Sequence, residues 1–550
     1  MKEIVTLHDR ILKLIQTMKN YFSKAILLAL IIIYPISLAA SDRKAESIHF
    51  KSARKTVLNV SVDGQALKVD WYVDNYVKYP NRPQDQLINV FIPENATKDS
   101  PIIFYVNNGG WIANSYPDRT LVDGTDYNGT YDRVGVALKE GYVIVSYGCR
   151  SRADEPVDGL YLGHSPATMT DTKAAIRYLR HNRKAIPAGD VEKIFITGTS
   201  GGGALSTVIA ASGNSPDYFP SLYEIGAAGV ELGKDGTYSS KPGYGDNVFG
   251  VIGYCPITDL GHACAAYEWL YGDTRRIMYI TGEMNYPTVD ENSVMSASAA
   301  LADDYVEYID SLGLTDEEGN PLTSSNFKNY ISRLMLEEIG KTLEERGQEQ
   351  MLKDIEKKNR RGTRVNNGWL VFDEDGSCNY DIDKHLYYVA KYTTLKPAPA
   401  FSNKGLFVTH MNEDSLFGSA DIPYCPFNEY SWNNDKEING VGMDETALSW
   451  DEYMKTEEGR ELALQIKMTS AIDYLLEGTC DIAPHWYVRH GMDDRDTSFA
   501  VEALLFNAVR KNPKVSSPNV GFSWLMPHSG DYDVPEAYSW VQSLLKEMTE

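Results

Sequence analysis

The chain has 550 residues, a formal net charge of −23, and 43% hydrophobic and 11% aromatic residues. This composition is that of a globular protein and excludes an intrinsically disordered one. The negative charge argues against nucleic acid as a partner, because binding a polyanion requires clustered Lys and Arg side chains and no such stripe occurs. The length allows one large core with an insertion, or two to four ordinary domains.

The amino terminus, residues 1–40, is predicted to be a signal peptide with a polar extension before it. The apolar run at 25–40 is shorter than the roughly 20 residues that a membrane-spanning helix needs, and it ends in small residues. We expect cleavage after Ala39 or Ala40, which implies a secreted or periplasmic protein without a stable membrane anchor. An uncleaved anchor is the alternative, and translation from Met18 would remove the extension.

Residues 48–255 are predicted to form the first part of a core in which strands alternate with helices. The alternating pattern around Asp63 and Gly64 predicts a β-hairpin. A helix is expected to start from a cap at Thr170 or Asp171. Apolar runs predict further strands at residues 88–93, 101–106, 141–147 and 248–254. Such alternation is typical of the α/β class, with a mostly parallel sheet and helices on both faces.

The centre of this pattern is a Gly-x-Ser-x-Gly sequence at residues 198–202. It follows an apolar strand at 191–197 and precedes a helix of small residues, which is the context of a nucleophile elbow that exposes Ser200 Oγ. A serine that caps a helix is the alternative interpretation. A Walker-type phosphate loop is excluded, because no Gly-Lys-Ser/Thr sequence follows the glycines.

A glycine-rich turn at residues 107–111 follows the buried strand upstream of the elbow. A hydrolase with a nucleophile elbow places one donor of its oxyanion hole in such a turn. We therefore predict that the N–H groups of Gly201 and of Gly109 or Gly110 stabilise the oxyanion of a tetrahedral intermediate. An ordinary glycine turn is the alternative.

Between residues 256 and 449 the alternation of strands and helices is lost. This length is that of an inserted domain, and an insertion after the strand at 248–254 would lie over the carboxyl ends of the strands as a lid. Amphipathic helices are expected at 303–309 and 327–346. The acidic run at 373–383 resembles a calcium loop in composition but does not fit the EF-hand register, so we predict a solvated loop.

Residues 450–550 are predicted to complete the core. Helices are expected at 459–476, 498–510 and 534–548, and strands at 485–490 and 520–526. The turns after these two strands contain Asp494 and His528, respectively. An acid and then a histidine downstream of a serine elbow give the Ser, Asp, His order of an α/β-hydrolase.

These residues allow nucleophilic catalysis by a serine. His528 would take the proton of Ser200 and return it to the leaving group, and Asp494 would hold the imidazole in the required tautomer. Asp494 is preferred because it lies three residues after Gly491, which is the usual span for this turn. Asp493 and Asp496 are the competing acids, and a solvated loop position is the expectation for Asp493.

The six cysteines are scattered without CxxC pairs. The sequence therefore indicates neither a zinc site nor a disulfide framework, and buried free thiols are expected. No metal and no cofactor is predicted.

Several motifs in one order resemble the bacterial tannases, subtype B, over residues 55–550. They are the elbow at 198–203, the segments at 171–180 and 254–260, and the turns at 490–498 and 527–533. The resemblance implies an α/β-hydrolase fold and hydrolysis of galloyl esters. It also implies that Lys396, Glu413 and Asp496 grip the three phenolic hydroxyls of the galloyl ring, with Asp414 as the substitute for Glu413 if the register differs.

Thr199 and Ser529 stand where fungal tannases and many feruloyl esterases have cysteines, so the disulfide of those enzymes cannot form here. We expect an exported serine esterase with an inserted lid that releases gallic acid from a small phenolic ester through an acyl-enzyme. A feruloyl or other phenolic-ester hydrolase with the same triad is one alternative. A catalytically silent binding protein of the same fold is the other.

Overall fold

The structure is a computed structural model that describes residues 45–51, 54–113, 121–122, 126–284, 289–356, 358–359, 362–402, 406, 412–435 and 446–548. The predicted signal peptide lies outside the described residues. Residues 48–550 form one compact unit, and residues 1–47 form a second one of which only 45–47 are described. No helix within the described ranges is long and apolar enough to cross a membrane.

Ten strands form the central sheet of the described part of the chain. In chain order they are β1 (Thr56–Val62), β2 (Gln65–Asn75), β3 (Leu87–Pro93), β4 (Ile102–Tyr105), β5 (Asp126–Tyr127), β6 (Val143–Tyr147), β7 (Ile194–Thr199), β8 (Gly250–Tyr254), β9 (His485–Gly491) and β10 (Ser517–Ser523). Their spatial order is β10-β9-β8-β7-β4-β6-β3-β2-β1-β5. In this spatial order, the neighbouring strands from β10 through β9, β8, β7 and β4 to β6 pair in parallel. The pairs β6–β3, β3–β2 and β2–β1 are antiparallel.

Helices pack against this sheet and form most of the remaining structure. In chain order they are α1 (Arg133–Lys139), α2 (Ala167–His181), α3 (Gly201–Ala211), α4 (Phe219–Glu224), α5 (Leu260–Ile280), α6 (Glu291–Ser311), α7 (Phe327–Arg346), α8 (Gln348–Ile355), α9 (Ile382–Thr393), α10 (Glu429–Asn433), α11 (Trp450–Tyr453), α12 (Glu457–Lys467), α13 (Ala471–Glu477), α14 (Phe499–Lys511) and α15 (Val534–Glu547). Short 3-10 helices lie at Pro216–Tyr218 and Asn412–Leu416. Two-stranded hairpins pair Asn108–Gly109 with Ile112–Ala113, Val230–Leu232 with Tyr238–Ser240, Lys358–Asn359 with Gly362–Thr363, and Leu370–Phe372 with Cys378–Tyr380.

The two faces of the sheet bury different sets of helices. Successive residues of a strand point to opposite faces. In β7, Phe195 belongs to the apolar cluster of α1 and α15, and Ile196 belongs to the cluster of α2, α3 and α14. Strands that are covered on both faces are nearly all apolar, which explains the continuous apolar runs in the sequence. The predicted α/β-hydrolase fold, with a mostly parallel sheet and an insertion, is confirmed.

The carboxyl ends of β7, β8, β9 and β10 lie side by side. Thr199 at the end of β7 is paired with Tyr254 of β8, which is paired with Arg489 of β9. Because these strands are parallel, the turns that follow them leave the sheet at one edge. These turns carry Ser200, residues 491–496 and His528, and this edge is where sites of such sheets lie.

The insertion predicted at 256–449 lies between β8 and β9 in the chain. Its described residues form helices α5 to α10 and two short hairpins, and they contribute no strand to the central sheet. The helix predicted at 327–346 is α7, and the segment at 303–309 is part of α6. The boundary at 449 stays a prediction.

The acidic run at 373–383 is only partly the loop expected from the sequence. It includes one strand of a two-stranded hairpin, Cys378–Tyr380, which pairs with the residues just before the run. The Asp373 carboxylate accepts hydrogen bonds from the side chains of Ser377 and Asn379.

One helix start in the sequence analysis is wrong. Helix α2 begins at Ala167 and not at Thr170 or Asp171, so Asp171 lies inside the helix and is fully buried. Its carboxylate accepts hydrogen bonds from Arg150 and Gln86. A cap residue and a buried ion-pair partner cannot be told apart in the sequence, because both are short polar side chains near a helix start.

The single helix predicted at 459–476 is two helices, α12 and α13, with a turn at 468–470 between them. The side chain of Ser470 accepts a hydrogen bond from Asp473 N–H at 3.3 Å and so caps α13. The apolar spacing continues through this turn, so spacing alone predicted one helix.

Candidate active site

Ser200 lies in a sharp turn between β7 and α3. Its backbone has φ 61° and ψ −124°, a conformation that residues other than glycine rarely adopt. Its N–H donates to Tyr254 O at 2.9 Å, which ties the turn to the end of β8. A Cβ on Gly198 would come within 2.4 Å of Gly202 O, so the close approach of strand and helix requires glycine there. The predicted strand, turn and helix are present, and they hold the serine at the edge of the sheet.

The structure brings Ser200, His528 and Asp494 together. Ser200 Oγ lies 2.8 Å from His528 Nε2, and His528 Nδ1 lies 2.7 Å from Asp494 Oδ2. With its proton on Nδ1, the imidazole donates to the carboxylate and accepts from the serine hydroxyl. This is the arrangement of a nucleophile, a base and the group that orients the base.

Asp494 is fully buried in a setting that favours its ionised form. Burial alone would raise the pKa of Asp494, but His490, His528 and the N–H of Asp496 hold it below its ordinary value. The Asp496 N–H donates to Asp494 Oδ1 at 2.8 Å. An ionised acid at this position can stabilise an imidazolium on His528.

Asp493 is not the solvated loop carboxylate that the sequence predicts. Its side chain is 4% exposed and forms an ion pair with Arg364 from the insertion. Burial raises the pKa of Asp493 to about 6, and Arg364 opposes the shift. The guanidinium of Arg364 also lies over the Tyr388 ring, 5.3 Å from its centre. The acid turn is therefore tied to a partner 129 residues away in the chain.

Asp496, the other competing acid, lies beside the histidine but farther from it. Its Oδ2 is 4.0 Å from His528 Nδ1, against 2.7 Å for Asp494 Oδ2. Its other oxygen pairs with Arg495. The distances therefore favour Asp494 as the acid that orients the imidazole.

The three residues expected to grip a phenolic ring lie near one another. Burial lowers the pKa of Lys396, and the nearby carboxylates of Glu413 and Asp496 oppose this shift. Glu413 is itself buried. Asp414 is buried beside it, and the effect of Glu413 on Lys396 agrees with the choice of Glu413 for the ring. We call Lys396, Glu413 and Asp496 the ring subsite.

Tyr267 on α5 connects two parts of the ring subsite and was not predicted from the sequence. Its hydroxyl accepts a hydrogen bond from the backbone N–H of Lys396 at 3.0 Å and donates one to the backbone oxygen of Arg495 at 2.8 Å. Arg275, on the same helix, donates to Lys396 O at 3.0 Å. Helix α5 therefore positions both Lys396 and the turn that carries Asp496.

The glycine-rich turn packs against the start of α3. A Cβ on Gly201 would lie 2.3 Å from Trp111 N and 2.9 Å from Gly110 N, so these two backbone nitrogens border the residue after the serine. Gly109 instead pairs with Ile112 in a short hairpin. Of the two glycines considered from the sequence, Gly110 is the one beside Gly201, and Trp111 is a further candidate donor that the sequence analysis missed.

Arg152 fixes the peptide between Gly110 and Trp111. Its Nε and Nη2 both donate to Gly110 O, and its Nη1 donates to Ser415 Oγ at 3.0 Å. In a trans peptide the N–H points away from the preceding carbonyl oxygen, so Trp111 N–H is directed away from Arg152. Trp111 has φ 60° and a buried ring that donates to Ile257 O at 3.0 Å. The guanidinium of Arg152 therefore links the Gly110–Trp111 peptide to the 3-10 helix that carries Glu413 of the ring subsite.

Cys255, Asp494 and His528 are a group of potential metal ligands among the described residues, with ligand atoms within 4.8 Å of one another. Asp494 and His528 already share a hydrogen bond, and the thiol of Cys255 donates to Ser529 O at 3.3 Å. We therefore assign no metal to this group. No disulfide occurs among the described residues, and five of the six cysteine side chains are buried.

Comparisons with known proteins agree with this architecture. Residues 88–284 match the family model described as BD-FAE. The native structure of tannin acyl hydrolase from Lactobacillus plantarum is similar at 26% identity and a TM-score of 0.68, covering 90% of this chain and 99% of that chain. Fusobacterium nucleatum tannase is similar at 26% identity and a TM-score of 0.69, covering 91% and 99%. A tannin acyl hydrolase in complex with ethyl gallate gives 25% identity, a TM-score of 0.68 and coverage of 90% and 99%. A search of curated proteins found no match.

Together with the sheet, these comparisons define the class of the protein, which is an α/β-hydrolase and a carboxylic ester hydrolase. Within that class, its resemblance to the bacterial tannases is confirmed, and it extends over 90% of the chain or more.

Proposed function

We propose that the protein is a serine esterase that hydrolyses galloyl esters through an acyl-enzyme. The observation that carries the proposal is the hydrogen-bonded order from Ser200 to His528 to Asp494, with the ring subsite beside it. The similarity to tannin acyl hydrolases, one of them in complex with ethyl gallate, supports the choice of acyl group. Membership of subtype B stays a prediction.

The three side chains of the triad would serve both halves of the reaction. His528 takes the proton of Ser200 Oγ as the hydroxyl attacks the ester carbonyl, and Asp494 stabilises the imidazolium. The imidazolium then gives its proton to the leaving alcohol. In the second half, His528 takes a proton from water as the water attacks the acyl-enzyme, and it returns this proton to Ser200 as the free acid leaves.

The oxyanion formed in each half requires donors that are already in place. Gly201 N–H directly follows the nucleophile, and Gly110 N–H and Trp111 N–H border it. We assign the oxyanion hole to Gly201 together with Gly110 or Trp111. Removal of one such donor typically costs about 10²–10³ in kcat.

The ring subsite would select the acyl group by its phenolic hydroxyls. Carboxylates accept hydrogen bonds from phenol O–H groups and the lysine ammonium donates to a phenol oxygen, and such charge-assisted bonds are the stronger ones. A ring without hydroxyls would leave buried charges unpaired, which is how a polar pocket rejects an analogue. Lys396 and Glu413 come from the insertion, which supports the lid predicted for residues 256–449.

Loss of one ring-subsite charge is expected to weaken gallate esters more than benzoate esters. The variants are Lys396→Met, Glu413→Gln and Asp496→Asn. Each lost charged hydrogen bond should cost about 1.5–3 kcal/mol, which is roughly tenfold to a hundredfold in kcat/KM. The measurement is kcat/KM for methyl gallate, methyl 3,4-dihydroxybenzoate and methyl benzoate.

Methyl benzoate is the internal control, because it lacks the hydroxyls and reports only on the fold and the triad. Equal losses on gallate and benzoate would mean that these side chains do not bind the ring. A wild-type preference for methyl ferulate over methyl gallate would replace the galloyl assignment by the feruloyl alternative. Wild-type protein that turns over none of these esters would favour the catalytically silent binding protein.

We further propose that the chain is exported, because its amino-terminal run has the length and the small-residue end of a signal peptide. Sequencing of the mature amino terminus is expected to give Ala40 or Ser41 as the first residue. A mature chain that still begins at Met1 or Met18 would contradict the proposal.

A further inference from the structure

A second histidine and a second carboxylate lie behind Asp494 and take no part in the chemistry described above. His490 on β9 and Glu502 on α14 are both fully buried. His490 Nδ1 lies 3.4 Å from Glu502 Oε1 and 3.7 Å from Asp494 Oδ2. The same nitrogen of His490 therefore faces two carboxylates, one of which lies against His528.

Two aromatic rings pack against the imidazole of this pair. The rings of Phe499 and Phe522 lie nearly perpendicular to the imidazole, with ring centres 5.7 and 6.0 Å from its centre. Among the described residues, neither nitrogen of His490 and neither carboxylate oxygen of Glu502 has a hydrogen-bond partner of normal geometry. The attraction between their charges, and between His490 and Asp494, therefore has to offset the cost of their burial.

The titratable groups that face the pair come from three other places in the fold. They are Asp494 and Asp496 in the turn after β9, Cys255 at the end of β8, and His528 after β10. In the part of the chain that the structure describes, the cationic partner at ion-pair distance from Glu502 is His490.

Two buried carboxylates that share one imidazole favour its charged form. Burial alone would lower the pKa of His490, but Asp494 and Glu502 raise it above its ordinary value. In the other direction, His490 is the largest influence that opposes the effect of burial on the pKa of Asp494. The distances from His490 to the two carboxylates and the raised pKa of His490 therefore both indicate a charged imidazole.

We propose that His490 and Glu502 form a second, buried acid–base pair, in which a positively charged His490 is a positioning residue that keeps Asp494 ionised. The inference rests on the proposed function, because it concerns the acid of the proposed serine mechanism.

The charge on His490 has a consequence for the rate at low pH. Asp494 must be ionised to orient the imidazole of His528 and to stabilise an imidazolium, and the nearby positive charge of His490 disfavours protonation of Asp494. The charged pair therefore extends activity toward lower pH.

The test is the pH dependence of kcat/KM for methyl gallate in His490→Asn and Glu502→Gln. We expect the acid limb to move to higher pH by about one unit in both variants, since removal of Glu502 takes away the anion that keeps His490 charged. His385→Asn is the matched control. His385 is also fully buried and stacks on Trp369 at 4.3 Å, but burial lowers its pKa to about 3 and no described carboxylate pairs with it. The acid limb of the pH profile of His385→Asn should therefore stay at the wild-type position.

The charge of His490 is measured without turnover in Ser200→Ala protein, from the ¹⁵N resonances of labelled histidines between pH 5 and 9. An imidazolium signal that persists at pH 8 and is lost in Ser200→Ala/His490→Asn supports the proposal. A neutral His490 throughout this range would overturn it. The proposal would also be overturned if the acid limbs of His490→Asn and Glu502→Gln stayed at the wild-type pH while kcat/KM fell equally at every pH. The pair would then have a structural role only. Wild-type protein without esterase activity would refute the proposed function, and the resonances would still decide the charge of His490.

Discussion

Replacement of Ser200 by alanine is expected to lower kcat on methyl gallate by about 10⁶, the loss seen when the nucleophile of a serine triad is removed. The variant lacks the oxygen that accepts the acyl group. Its fold should be kept, because the turn is held by Gly198 and by the hydrogen bond to Tyr254 O and not by the hydroxyl. The measurements are kcat, Tm and covalent labelling by a fluorophosphonate, which should mark wild-type Ser200 and leave the variant unlabelled.

Ser206→Ala is the matched control for this variant. Ser206 lies on the same helix, α3, and its buried hydroxyl donates to Gly202 O at 2.8 Å. Loss of that hydrogen bond should cost about 1 kcal/mol of stability with little effect on kcat. Near wild-type turnover in folded Ser200→Ala protein would contradict the serine mechanism.

The second large effect is expected from Asp494→Asn, which should lower kcat by about 10⁴. An asparagine occupies the same space, but it favours the wrong imidazole tautomer and cannot stabilise the imidazolium of His528. The measurement is kcat on methyl gallate, together with Tm to show that the variant is folded.

Asp493→Asn is the control for the acid turn. It leaves Arg364 without its carboxylate partner, so Tm should fall. The fall in kcat should be far smaller than for Asp494→Asn, because Asp493 does not contact the imidazole. If Asp493→Asn lowered kcat more than Asp494→Asn does, Asp493 and not Asp494 would be the acid that orients the imidazole.

The elbow and the order of the candidate triad could be predicted because both depend on local sequence. A sharp reversal needs small residues within five positions around Ser200, and Asp494 and His528 each follow an apolar strand. Parallel strands end at one edge of a sheet, so the meeting of these turns follows from the fold class.

The residues that position the site could not be found in this way. Tyr267, Arg364 and Arg152 bond to partners that lie 129, 129 and 263 residues away. A single polar residue has no periodicity or spacing that marks such a partner. For the same reason Lys396 and Glu413 were identified only through the resemblance to tannases.

The wrong expectation for Asp493 has a related cause. Whether a carboxylate in a turn is solvated depends on what covers the turn, and here the cover is a segment of the insertion around Arg364. The sequence predicts that an insertion exists but not which of its side chains reaches the acid turn.

Arg152 holds the peptide that aims Trp111 N–H and also bonds the turn that carries Glu413. If a galloyl ring binds at Glu413 as proposed, it would act through this turn on the guanidinium that also sets the direction of a candidate oxyanion donor. Binding energy from the distal end of the acyl group can in this way be used at the reacting carbonyl. An ester whose ring lacks hydroxyls would react more slowly even when it saturates the enzyme, so discrimination between acyl groups would be expressed in kcat as well as in KM.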